Sequence, residues 1–159
     1  MAKADDIPGL SGQAPWIETA REVVHVRARE LFVHADGVLD TSDIERVHDM
    51  RVATRRLRAV LETFGGAFPK DELRPVLRDV KALADALGAR RDPDVAIASL
   101  LTFAQGVPAV DRAGAESLAT ELREEQAAGN EALARVLEET REHDLQGRLE
   151  ALVSAESAA

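Results

Sequence analysis

Apolar residues return every three or four positions through most of this chain, the period of an amphipathic helix. The first stripe begins near Pro15, a residue favoured in a helix's first turn, and is expected to run to about Leu39. Ile17, Val24, Leu31 and Val38 recur along it at seven-residue spacing, with Ala20 and Ala28 filling the same face. A second helix has a capping-box start, Ser42 with Glu45, and ends at Gly65-Gly66 before Pro69. Its apolar side is Val47, Met50, Leu57, Val60, Leu61 and Phe64.

A third helix is predicted over 70–87, with Gly88 stopping it. A fourth is predicted to start at Asp92-Pro93, an N-cap followed by proline, and to fade before Gly106-Val107-Pro108. Residues 109–153 read as two more helices, with a bend near Gly129-Asn130 and another near His143. No segment alternates with the period of a strand. The fold class is therefore all-α. Short connections favour an antiparallel helical bundle, with a flexible segment over 1–12 and a single helical domain over 13–155.

Composition agrees with helices: 45% of residues are hydrophobic and only 3% aromatic. The absence of cysteine excludes disulfides and thiolate metal sites. The N-terminus lacks the apolar core of a signal peptide, and no apolar run reaches bilayer length, so a cytoplasmic protein without membrane partners is expected.

Charge changes the picture. The chain as a whole carries −9, yet residues 46–91 carry 11 Lys/Arg against 6 Asp/Glu, a local +5 between acidic flanks. Local potential decides where a polyanion docks. Much of the basic charge lies in HDMRVATRRLR, residues 48–58. With His48 set at 0° and 100° per residue, Arg51 falls at about 300°, Arg55 at about 340° and Arg58 at about 280°. Met50, Leu57, Leu61 and Phe64 lie nearly opposite, so the helix has a core side and a cationic side. Arg56, at about 80°, stands apart. Guanidinium groups keep their charge and offer forked donors that match phosphate oxygens. Crowded like charges also repel along a helix. The pattern alone leaves two readings open: a phosphate-binding face, or arginines paired with acids on neighbouring helices.

Other chemistry is thin. Arg74, Arg78 and Lys81 share a side of the third predicted helix, and for Arg74 and Arg78 the simplest reading is a solvated face. Asp92 and Asp94 are too few for a Mg²⁺ site. His25, His34 and His143 are scattered, and neither a zinc-binding H-E-x-x-H nor a P-loop is present. No G-x-S-x-G nucleophile elbow is present either. No metal, cofactor or catalytic residue is expected.

Two segments resemble the motifs of the CHAD family, the conserved histidine α-helical domain: VHDMRVATRRLRAVLETF at 47–64 and VKALADALGARRDPDVAI at 80–97. The resemblance implies an all-helical domain that binds inorganic polyphosphate without catalysis and associates with polyphosphate granules. It makes His48, Arg51, Arg55 and Arg58 ligand residues, and adds Lys81 and Arg91. Members of the family are built of two four-helix halves. No second H-x-x-R-x-x-x-R run occurs here, and neither does the E-x-E-x-K pattern of the triphosphate-tunnel domain that accompanies some members. The expectation is a domain like one half of the family's, paired as a homodimer. The alternatives are a helical interaction or scaffold module and an accessory domain of a phosphoanhydride hydrolase. Nucleic acid is a poor fit, because few aromatics are available for base stacking.

Overall fold

A computed structural model describes residues 3–154. Residues 1–2 of the expected flexible segment, and residue 155 at the end of the expected domain, lie outside the described residues. The described chain forms five α-helices and one 3₁₀ turn: α1 Trp16–Val33, α2 Ile44–Thr63, the turn Gly65–Ala67, α3 Lys70–Gln105, α4 Ala109–Glu142 and α5 Leu145–Ser154. Among the described residues there is no strand.

α1 starts where expected but ends about six residues early. Gly37 adopts a left-handed backbone (φ 69°) that folds the chain back and buries Val38. A Cβ at Gly37 would collide with the Arg46 guanidinium, so the turn requires glycine twice over. Arg46 donates from Nη1 to the Asp36 carbonyl at 3.2 Å, tying this turn to the start of α2. The seven-residue stripe holds for Val24, Leu31 and Val38, whereas Ile17 is exposed in the first turn. The α2 cap is Asp43 rather than Ser42: its carboxylate accepts the Glu45 N–H at 3.2 Å. Ser42 instead donates to Asp40, from its amide at 2.9 Å and its hydroxyl at 2.7 Å.

α3 corrects the sequence reading most. The predicted stop at Gly88 and the predicted start at Asp92-Pro93 both lie inside one 36-residue helix. Arg90 and Asp94 explain why. Both side chains are fully buried and paired one turn apart, across Pro93. Asn130 accepts from Arg90 Nε at 3.1 Å, and Gln126 donates to Asp94 at 2.5 Å. Asn130 also donates to the Leu39 carbonyl at 3.0 Å, so the network joins α3, α4 and the α1–α2 connection. α4 likewise runs straight through Gly129, the predicted bend. A Cβ there would lie 3.3 Å from Arg90 Cα and 3.5 Å from the Ala89 oxygen. Gly129 therefore marks where two helix backbones come close. Pro93, having no N–H, also leaves that Ala89 carbonyl without its usual helical donor. The bend near His143 is real: Asp144 takes φ 49° between α4 and α5.

The core gathers Val24 and Leu31 of α1, Met50, Leu57 and Leu61 of α2, Val80, Leu83 and Leu87 of α3, Leu133 of α4, and Leu145 and Leu149 of α5. Thr54 is buried among them with its hydroxyl bonded to the Met50 carbonyl at 2.8 Å. α1 packs on α2 and α5, and α3 packs on α2, α4 and α5. The outer half of the α3–α4 hairpin extends past this core. No residue of α3 beyond Asp94 is buried, and before Leu133 only Ala115 and Ala119 of α4 are.

Candidate functional site

Because Val47, Met50, Leu57 and Leu61 face the core, α2 turns its opposite side outward. His48, Arg51 and Arg58 are half-buried on that side, and Arg55 is exposed. α3 lies against α2 and contributes at both ends. Lys81 Nζ stands 3.4 Å from Glu62 Oε1, and Arg58 Nε donates to the same oxygen at 3.1 Å. At the other end, Arg91 donates to the Ile44 carbonyl at 3.0 Å and stands 3.5 Å from Glu45 Oε1.

The structure thus brings all six sequence-derived residues to the α2–α3 surface, but in two conditions. Arg58, Lys81 and Arg91 already meet carboxylates. The side chains of His48, Arg51 and Arg55 make no ion pair or hydrogen bond among the described residues. Arg51 and Arg55 are one turn apart, so two guanidinium groups share this stretch without a carboxylate to neutralise them. Arg55 also lines a shallow surface depression with Val52, Arg56 and Ala59.

The bond from Arg58 chiefly, and Lys81 beside it, hold the Glu62 carboxyl below its usual range despite some burial. Glu62 is therefore ionised at neutral pH and occupies the position an anionic ligand would take between those two cations. Glu45, His48 and Asp49, at i, i+3 and i+4 on α2, hold ligand-type atoms within 4.8 Å of one another. Glu45 is also engaged by Arg91.

Residues 22–159 match the CHAD domain. The chain belongs to the CHAD family. Comparisons with curated proteins and with solved structures found no match.

In this CHAD domain the two recognised motifs divide their work. The α2 motif supplies most of the cationic face, and Lys81 of the second motif adds to it. The second, which contains Ala89–Asp94, is mainly structural: Arg90, Pro93 and Asp94 are buried at the α3–α4 crossing, and Arg91 alone of its arginines reaches the α2 end. Sequence reading missed the Arg90–Asp94–Gln126–Asn130 network. The i, i+4 spacing of Arg90 and Asp94 was a signal for it, hidden by a proline that looked like a helix start. It also missed Asp79, which is buried and held by Arg148, by Arg78 at 3.3 Å and by His143 at 3.1 Å. Burial pushes the Asp79 carboxyl up, but these donors outweigh it and leave the carboxyl below its usual range. The group pins α5 to α3, and Arg78 and His143 are thereby partnered away from the α2 stripe.

Proposed function

We propose that this CHAD domain binds inorganic polyphosphate through the α2 face, as a non-catalytic module. Arg51 and Arg55 carry the reading: adjacent turns of one helix present guanidinium groups that no described carboxylate neutralises. His48 extends this face toward the α2 N-terminus, and Arg58 and Lys81 extend it toward the C-terminus. Successive phosphates along a linear chain suit such a row, because each offers oxygens to a forked donor. The acidic flanks keep a wide duplex from lying along the surface, whereas a thin polyanion follows one helix. The setting that fits is the cytoplasm, at polyphosphate granules.

Replacing Arg51 and Arg55 together by Ala is expected to weaken polyphosphate binding by about tenfold or more while leaving the helical circular dichroism intact. The slope of log affinity against log salt should fall by about two. Alanine at Arg112 and Arg123, distant on α4, should change neither. Undiminished binding by the folded Arg51/Arg55 variant removes the assignment. Duplex DNA competing as well as polyphosphate replaces the ligand.

A further inference from the structure

Among the described residues, the outer half of the α3–α4 hairpin is a two-helix arm without a third layer. Residues 95–105 of α3 carry no charge at all, and residues 109–126 of α4 carry five carboxylates against two arginines. On one side of the arm, Ala96, Ser99, Leu100 and Phe103 of α3 meet Leu118 and Leu122 of α4 around a groove of about 300 Å³. Phe103 is 61% exposed and Leu118 46%. Exposed apolar side chains collected in a groove mark an interaction site more often than bare surface.

The rim of this groove has one sign. Asp92 lies one turn before Ala96, and Glu125 lies two turns beyond Leu118, on the same side of their helices. Glu121 lies between Leu118 and Glu125 along α4. All three are exposed, and none makes an ion pair among the described residues. A second copy docking here would set acid against acid, which disfavours self-pairing. The complement is a helix with an apolar stripe flanked by lysine or arginine. Such a helix lays its stripe on Phe103 and Leu118, completes a three-helix layer and sets its cations against the rim.

We propose that this groove is a docking site for a basic amphipathic helix of a partner protein. It lies on the part of the hairpin that extends past the core, whereas the α2 stripe lies on the outward side of a helix that packs on the core. One domain would then hold a polyanion on one surface and a cationic helix on another. The docking site stands whether or not the α2 face binds polyphosphate.

The test uses the full chain and two fluorescein-labelled model helices with leucine along one face, one with lysine on its remaining positions and one with glutamate. Anisotropy titration should show saturable binding of the lysine helix and none of the glutamate helix. Two double variants, Phe103→Ser with Leu118→Ser and Asp92→Lys with Glu125→Lys, should each weaken binding about tenfold or more. Glu124→Lys with Glu131→Lys makes the same change in charge on the α4 face turned away from α3, and should have little effect. If both charge pairs weaken binding equally, the attraction is general and the groove is not the site. Absence of binding by the lysine helix also overturns the proposal, as does sedimentation showing that the groove is filled by a second copy. The charge pairs keep the outcome readable if the serine variant unfolds.

Discussion

Glu62 holds Arg58 and Lys81 at once, at 3.1 and 3.4 Å, and so stands where a phosphate of the proposed ligand would sit. A ligand must displace it or bind beside it. Surface ion pairs are worth about 0 to 1 kcal/mol, so this internal competitor is weak, but it is not negligible against a single phosphate contact. Glu62→Gln should therefore strengthen polyphosphate binding by about two- to fivefold at neutral pH, measured by titration at fixed salt. Protonating Glu62 should act in the same direction. Its carboxyl lies below the usual range because of the bond from Arg58, so the gain appears only in acid beyond ordinary Glu titration. Weaker binding by the Gln variant would mean that Glu62 positions the two cations rather than competing for them. Sequence spacing placed His48, Arg51, Arg55 and Arg58 on one face because a helix angle is fixed by residue number alone. Which cations were already partnered was not legible, since Lys81 and Arg91 meet α2 only through tertiary packing.

At the level of elements, the two long helices show why local signals misled. Gly88, Pro93 and Gly129 each read as a break, and each lies inside a continuous helix. Propensity disfavours glycine by about 1 kcal/mol and proline by about 3, amounts that apolar burial along these helices, Leu87 and Leu133 among it, overrides. The apolar period was reliable along α2, and its core-facing residues Val47, Met50, Leu57 and Leu61 were legible from it. The meaning of each glycine was not, because it depends on what lies opposite. Replacing two of them by alanine separates the cases. Gly114 has nothing within 4 Å of a built Cβ, so Gly114→Ala should stabilise the domain by about 0.5–1 kcal/mol. Gly129→Ala places its methyl 3.3 Å from Arg90 Cα, on backbone that the buried ion pair holds in place. It should destabilise by about 1–3 kcal/mol despite the better helix propensity. Denaturant midpoints for the two variants should move in opposite directions. A shared upward shift would mean that α4 retreats from α3 without loss.

Across the whole molecule, charge is separated by element: the cationic face is on α2 and the inner part of α3, and the acids crowd α4. A single helix face touches a linear polyanion from one side only, which leaves the far oxygens of each bound phosphate to solvent. A twofold pair of domains, each presenting its α2 face, would engage both sides of the same chain, and a C2 arrangement repeats that patch on both partners by necessity. Without ligand the two cationic faces repel, and a bound polyanion screens that repulsion. The homodimer belonging to this reading is therefore expected to depend on ligand. Light scattering should report a protein mass that rises toward twice 17.2 kDa when a short polyphosphate of defined length is added at low salt, its own mass subtracted, and that returns as salt is raised. The Arg51→Ala, Arg55→Ala variant should stay at the monomer mass under the same conditions. A dimer that forms equally without polyphosphate, or one that the double variant retains, would place the pairing surface elsewhere than on α2. A complex that holds one protein copy per short chain would confine the site to one face.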